Sequence, residues 1–355
     1  MLGTRKVIVD SFCELKAFTG AFEDEQFWGL HQHDIVPDAI YIISRQQFNT
    51  HRDLICKAIE DKNIVPVFGN SAEGSETMYT QLQALRLLDL VRDRKIGVVT
   101  GGHMQPDVPY LFYEHFLPKI LDFEENRQAM KQYYNDWSDQ RPYKFLFLNG
   151  RSRPHRRELI AALTPLLNQS LWTNLDATHG QPLQYLPAEY EFDFYQHRVG
   201  QAHSGFAKYE LFNNDWGEIY INPLAYQHTY FSLVSETVFY YPHSFRTEKI
   251  WKPIAMGQPF VAAANVRFYR DLHDLGFLTF DNVIDESFDS VEDNQQRLQR
   301  IVATVQELCA SDLAAFARDT RKRCIYNQQR FRELSVQVKA EFPYRLETYL
   351  KQFCQ

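Results

Sequence analysis

Three short segments hold side chains suited to chemistry on a phosphorylated substrate. The first is Leu148–Leu163, where Arg151, Arg153, Arg156 and Arg157, with His155 among them, follow an apolar run and open a helix-like pattern. Guanidinium forks and unpaired helix N–H groups converge at such a place, and both suit oxyanions. A charged, solvated helix start accounts for the same residues. The second is Phe231–Thr237, an apolar strand that delivers Ser235, Glu236 and Thr237 to its carboxyl end. A carboxylate there suits ribose hydroxyls, or equally the N–H groups of the next loop.

The third segment is Phe245–Phe260, FRTEKIWKPIAMGQPF. Thr247 fits a helix N-cap, and Glu248 in the first turn gains from the positive end of the helix dipole. Lys249 does not, because a cation near that end is unfavourable unless an anion lies beyond it. The plainer account is an i,i+4 pair between Glu248 and Lys252, worth about 0.2 to 0.5 kcal/mol, which leaves Arg246 and Lys249 unexplained. Pro253 removes a helix hydrogen bond, at a cost of about 3 kcal/mol in a regular interior, so the helix either kinks there or starts later than Thr247.

Strands and helices must present these segments. In the first third, apolar runs at 7–9, 39–43, 64–68 and 96–99 alternate with helix-like stretches at 51–61 and 78–91. That alternation predicts a parallel sheet covered by helices. A second alternation follows: strand 143–148, helix 156–167, strand 230–235, strand 260–264, helix 267–275 and a strand-like 279–280, with a helical pattern from Asp293 interrupted near Pro343. The polar stretch 124–142 reads as the crossing between domains. The expected organisation is a first Rossmann-like domain over 1–137, a second over 138–305, and a helical tail over 306–355, one member of which packs back onto the first domain. In such sheets ligands approach the carboxyl ends of strands, which makes the loops at 69–76 and 100–107 acceptor-side candidates.

Size and composition agree with this division. A chain of 355 residues buries roughly three quarters of its extended surface and exceeds the usual span of one core. With 27 Phe and 20 Tyr it is a packed globular sequence. The net charge of −7 gives no global basic footprint for a polyanion. Five scattered cysteines without a CxxC pair read as reduced thiols rather than structural zinc or disulfides. The amino terminus turns polar too early for a signal peptide and no apolar run reaches about 18 residues, so the expectation is a cytoplasmic protein without a membrane span. His31, His33 and Asp34 are too few to read as a metal site, and the acidic run 284–297 reads as a solvated helix start.

Taken in order, Arg156-Arg157-Glu158-Leu159, Ser235-Glu236-Thr237 and Thr247-Glu248-Lys249-Ile250 resemble the donor half of a GT-B glycosyltransferase, specifically the alpha-1,3-fucosyltransferase-like group. The resemblance covers about 150–264. It implies two Rossmann-like domains facing across a cleft, and transfer of a sugar from a nucleotide diphosphate sugar, GDP- or UDP-linked, to an acceptor hydroxyl, with inversion and with no metal or other cofactor. Residue by residue, it implies that Arg156 and Lys249 hold the donor diphosphate, that Glu248 meets the ribose hydroxyls and that Glu236 belongs to the donor-site floor, with Thr247 opening the Thr-Glu-Lys motif; Arg246, with His243, adds basic character before that motif and is a further donor-site candidate. Thr237 departs from the Asn usual after that Glu. The resemblance also implies a carboxylate base from the first domain. Asp107 and Glu73 are favoured by location, with Glu76, Glu114 and Asp10 as further candidates. The acceptor is left open between glycan, protein and modified nucleic acid. The competing class is a nucleotide- or nucleic-acid-binding protein without transferase activity; a phosphoryl-transfer enzyme is disfavoured because no GxxxxGK[ST] loop is present.

Overall fold

The computed structural model describes residues 5–11, 13–19, 25–27, 29–30, 34–72, 74–176, 183–190 and 220–354. The chain divides into two compact units, residues 1–115 together with 336–355, and residues 116–335. Each is an α/β unit built on a parallel sheet with flanking helices.

The first unit holds six strands: β1 (Val7–Asp10), β2 (Glu25–Phe27), β3 (Ile40–Ser44), β4 (Val65–Asn70), β5 (Gly97–Thr100) and β6 (Leu111–Phe112). They lie in the order β2-β1-β3-β4-β5-β6, every pairing parallel. Helices α1 (Arg45–Lys62), α2 (Ser75–Ala84) and α3 (Leu88–Arg92) connect them. Side chains alternate between faces along a strand, and both faces are covered. Ile8, Tyr41, Ile43, Phe68 and Val98 pack with Phe48, Ile55, Met78, Leu82 and Val91 from the connecting segments. Val7, Val9, Ile40, Ile42, Val67 and Val99 pack with Phe342, Leu346, Leu350 and Phe353 from the carboxyl terminus. Two buried faces explain why these strands are continuous apolar runs. The Val98 N–H donates to the Tyr349 hydroxyl at 2.9 Å. A Cβ at Gly97 would stand 2.9 Å from Val67 and 3.1 Å from Phe353, so glycine there admits the Phe353 ring, which follows the terminal helix.

The stretch expected as one helix over 78–91 is two, because Leu85–Leu87 form a turn with Arg86 at φ 55°. Strands β2 and β6, only three and two residues long, carried too little pattern to be anticipated.

The second unit begins with α4 (Phe116–Asp122) and α5 (Glu124–Asn135). Its sheet has β7 (Tyr143–Phe147), β8 (Leu171–Trp172), β9 (Thr229–Ser235) and β10 (Phe260–Ala263), in the parallel order β10-β9-β7-β8. Helix α6 (Pro154–Leu167) joins β7 to β8, α7 (Pro223–Gln227) precedes β9, α8 (Glu248–Met256) joins β9 to β10, and α9 (Phe268–Asp274) follows. Helices α10 (Asn294–Ala310) and α11 (Leu313–Lys351) complete the chain, α11 continuing into the first unit's residues from Val336.

Helix α4, which the sequence reading leaves before the crossing, and α5, which it reads as part of the crossing, group with this second unit. The polar look of 124–142 hides one apolar stripe: Ala129, Met130 and Tyr133 are buried on α5, and Phe116 of α4 meets Phe245 edge to face. Thr279-Phe280 forms no strand; Thr279 and Phe280 are instead held by Glu286. Pro343 lies inside α11 rather than breaking it. The acidic run 284–297 is a single 3-10 turn followed by Asp293, which caps α10 by accepting from the Gln296 N–H at 2.7 Å. The two units with their helical carboxyl-terminal segment are compatible with a generic two-domain Rossmann-like, GT-B-like architecture.

Candidate functional site

The carboxyl ends of β7, β9 and β10 in the second unit carry the segments singled out above. Leu146, Ser232 and Phe260 lie in register across the three strands, so the residues a few positions beyond them share one edge of the sheet. Those residues are Asn149 to Arg157, Ser235 to Thr237 and Ala264 to Val266.

Thr247 is the N-cap of α8, in extended conformation at φ −108°, ψ −177°, and its Oγ1 accepts from the Lys249 N–H at 3.3 Å. Helix α8 therefore begins where the cap residue predicts. It continues through Pro253 to Met256 as one helix and ends at Gly257, whose φ of +69° closes it in the left-handed conformation. The later start proposed as an alternative is not taken. Pro253 deprives only the Lys249 carbonyl of its intrahelical partner, and the burial of Ile250, Trp251, Ile254, Ala255 and Met256 offsets that loss.

Glu236 is the clasp between β9 and this helix. Fully buried, its carboxylate accepts from the Thr247 N–H at 3.1 Å, the Thr247 hydroxyl at 2.7 Å and the Thr237 N–H at 3.2 Å. Burial pushes its pKa upward, against the nearby Lys249 charge and the Thr247 hydrogen bonds. Its role is thus to fix the cap, by the second of the two functions the sequence allowed for a carboxylate at this strand end. Glu248 and Lys249 pair with each other, Nζ to Oε1 at 2.5 Å. Burial raises the Glu248 pKa, but Lys249 and Lys252 outweigh it and the net direction is downward. Arg246 is buried immediately before the cap.

Arg156 is also buried, on the first turn of α6. Its Nε donates to Ser235 Oγ at 3.0 Å, Nη2 to the Ser235 carbonyl at 2.9 Å, and Nη1 to the Arg151 carbonyl at 2.9 Å. These bonds tie α6 to the end of β9. Burial, with Arg153 nearby, lowers its pKa to about 10, which leaves it charged near neutral pH. His155 stacks on Phe239 at 5.0 Å, and its Nε2 lies 3.0 Å from the Glu236 carbonyl. A carbonyl only accepts, so Nε2 carries the hydrogen and Nδ1 the lone pair. Burial, with Arg156 adjacent, holds this imidazole neutral, its pKa lowered to about 3.

Two buried amides missed in the sequence occupy the same edge. Asn149 follows β7; its N–H donates to Thr173 Oγ1 at 2.8 Å and its Nδ2 to the Thr173 carbonyl at 3.3 Å. Asn265 follows β10; its Nδ2 donates to Ser244 Oγ at 3.0 Å and to the Val266 carbonyl at 2.8 Å. The signal available in the sequence was their position just past a strand end.

The structure thus brings together Arg156, Glu236, Arg246, Thr247, Glu248 and Lys249 in one unit. The acceptor-side candidates belong to the other. Asp107 is paired with Arg92 at 2.6 Å, and that guanidinium holds its carboxyl below the ordinary range, the opposite of what a base at neutral pH needs. Glu73 and the His31–His33 pair lie outside the described residues, as does any account of the Glu76 side chain. Glu114 is buried, and Asp10 is buried with its carboxylate accepting from the Ser44 N–H at 3.1 Å and the Ser44 hydroxyl. Among the described residues no group of three or more His, Cys, Asp or Glu side chains is placed to hold a metal ion. No helix among them is long and apolar enough to cross a membrane. Compared with protein families, curated proteins and solved structures, the chain matches none.

Proposed function

We propose that the chain is a glycosyltransferase that moves a sugar from a nucleotide diphosphate sugar, GDP- or UDP-linked, to an acceptor hydroxyl without a metal or other cofactor. The observation that carries this reading is the charge at one strand edge. In a protein of net charge −7, the cations Arg151, Arg153, Arg156, Arg157, Arg246, Lys249 and Lys252 lie on the segments where α6 and α8 begin, with Glu236 and Glu248 as the buried carboxylates there among the described residues and Asp176 accepting from the Ser152 N–H. A diphosphate placed there meets two helix starts and fixed positive charge.

The chemistry suits such an edge. The acceptor oxygen attacks the anomeric carbon, the bond from that carbon to the β-phosphate oxygen breaks, and the electron pair leaves with the nucleoside diphosphate. Negative charge grows on the diphosphate as this happens, so preorganised cations stabilise the transition state more than the ground state. In an inverting displacement the acceptor proton passes to a base. Lys249, whose side chain is 22% exposed, is the group that would exchange its Glu248 partner for phosphate; Arg156 supports the site by holding β9 and α6 together.

The test is turnover. The folded protein is incubated with nucleotide sugars and panels of glycan, protein and DNA acceptors, and mass spectrometry follows released nucleoside diphosphate and the mass of each acceptor. Release matched by one sugar mass on an acceptor is expected. Saturable nucleotide binding with every nucleotide sugar left intact would instead favour a nucleotide-binding protein without transferase activity, the reading to which the tightly paired state of Arg156 and Lys249 lends weight.

A further inference from the structure

An open groove of about 750 Å³ lies within the second unit, at the amino-terminal ends of β7 and β9. Its walls are the first residues of β7, Asn168 and Gln169 just past α6, and the junction between α10 and α11 from Cys309 to Ala314. The candidate donor segments are at the opposite ends of the same strands, and β7 alone separates the two ends by about 13 Å. The groove is therefore a place of its own, and its volume is that of a small-molecule site.

In a chain of net charge −7 the lining holds three cations, Arg141, Lys144 and Arg318, and one carboxylate, Asp312. Arg318 pairs with Asp139 at 2.6 Å. The other two cations form no ion pair among the described residues. Arg141 is buried, and its guanidinium donates to neutral acceptors, the Ser138, Tyr226 and Thr229 carbonyls and the Tyr133 hydroxyl. Lys144 is half-buried, and its Nζ donates to the Cys309 carbonyl at 2.9 Å, which holds the ammonium against a residue of the groove wall. An ammonium has three hydrogens, and the other two make no hydrogen bond among the described residues. Asp312 Oδ1 accepts from the Ala315 N–H at 3.0 Å, at the start of α11. Cations held by neutral dipoles in a partly buried wall are completed by an anion. The remaining polar groups indicate what carries it. The side-chain amides of Gln140, Asn168 and Gln169 line the groove, are exposed, and form no hydrogen bond among the described residues. Each amide offers donors and an acceptor; a bare oxyanion uses only the donors, whereas hydroxyl groups use both.

We infer that this groove is a binding site for an anionic sugar, a monosaccharide or similar polyhydroxyl compound carrying one phosphate or carboxylate. Lys144 meets the anion, and the three amides meet the hydroxyls. The site is distinct from the start of α8 and does not depend on a nucleotide sugar binding there.

Calorimetric titration of the full chain with a hexose 6-phosphate, a hexuronate, the neutral hexose and inorganic phosphate tests this. At least one anionic sugar is expected to bind saturably, about tenfold or more tighter than the neutral hexose or inorganic phosphate, and which one does so identifies the anion. Lys144→Gln is expected to weaken that binding about tenfold or more with Tm unchanged, and Lys144→Arg, which keeps the charge, to weaken it less. Asp312→Asn, which can still cap α11, should strengthen it about twofold by removing a like charge. Lys249→Ala, altered at the other end of the sheet, should bind the anionic sugar as the unmodified protein does. Absence of binding by both anionic sugars, inorganic phosphate binding as tightly as they do, or an affinity that Lys144→Gln leaves unchanged overturns the inference. Should Lys144→Gln fail to fold, an affinity that Asp312→Asn does not raise overturns it. Loss of binding in Lys249→Ala also overturns it, since the ligand would then sit at the start of α8, and would leave the transferase reading standing.

Discussion

Replacing Glu236 tests whether the site is assembled by a buried carboxylate. In Glu236→Ala, the Thr247 N–H, the Thr247 hydroxyl and the Thr237 N–H all lose an ionised acceptor that they reach at 2.7 to 3.2 Å. A hydrogen bond to a charged group is worth about 1.5 to 3 kcal/mol, and removing one member of a buried charged cluster costs about 3 to 5 kcal/mol. The three bonds are not additive, and loss of the carboxylate also relieves its desolvation, which acts to raise its pKa. The expected net cost is about 3 kcal/mol, concentrated at the start of α8. Glu236→Gln keeps one acceptor oxygen and should cost about 1 kcal/mol. Amide hydrogen exchange reads the effect locally: 3 kcal/mol corresponds to more than a hundredfold faster exchange by opening at the Lys249 and Trp251 amides, whereas amides in the first unit's sheet should not change. Unchanged protection of α8 in Glu236→Ala would refute the assignment of Glu236 as the clasp.

Two titrating groups in the second unit should act in opposite directions on stability. His155 has a folded pKa of about 3 against an ordinary value of 6.5, so between these values the unfolded chain binds a proton that the folded one excludes. Its contribution is present above pH 6.5 and lost as pH falls toward 3, on the order of a few kcal/mol, and His155→Gln should flatten that part of a urea-midpoint profile. Glu286 is raised by burial to about 7, despite hydrogen bonds from Thr279 and Phe280, and so holds a proton in the folded state that the unfolded chain releases above pH 4.5. Stability should therefore fall as pH rises from 4.5 to 7, by about 1 to 2 kcal/mol given its partial exposure, and Glu286→Gln should remove that fall. A midpoint that changes with pH identically in both variants and the unmodified protein would contradict these two assignments.

Much of the architecture was legible because parallel strands covered on both faces are long apolar runs. The runs at 7–9, 39–43, 64–68, 96–99, 143–148, 230–235 and 260–264 each correspond to a strand within two residues at either end. Local pattern failed where the deciding contact is distant in sequence. Residues 124–135 looked like a linker because only one stripe of α5 is apolar, and Thr279-Phe280 looked like a strand although Glu286 holds it as a loop. Pro253 and Pro343 looked like breaks; in each case the helix continues, and the burial of neighbours such as Trp251 and Phe342 outweighs one lost hydrogen bond.

The candidate site was legible as a set of residues but not as a set of bonds. Thr247 could be read as a cap because the residue type and the following helix pattern are adjacent in sequence. Besides the Arg151 carbonyl, Arg156 donates to the Ser235 hydroxyl and carbonyl, 79 residues away, and nothing local to 151–157 indicates those two. Asn149 and Asn265 gave no signal by type, since their partners Thr173 and Ser244 lie 24 and 21 residues away in sequence.

The central claim is that a nucleotide diphosphate binds at the start of α8 through Lys249. Its most direct test is calorimetry of the unmodified protein, Lys249→Ala and Lys252→Ala against UDP, GDP, ADP and dTDP sugars and CMP-linked sugar. Saturable binding of at least one diphosphate donor is expected, weakened about tenfold or more in Lys249→Ala and much less in Lys252→Ala. Folded protein that binds none of them, or equal losses in the two lysine variants, would contradict the account.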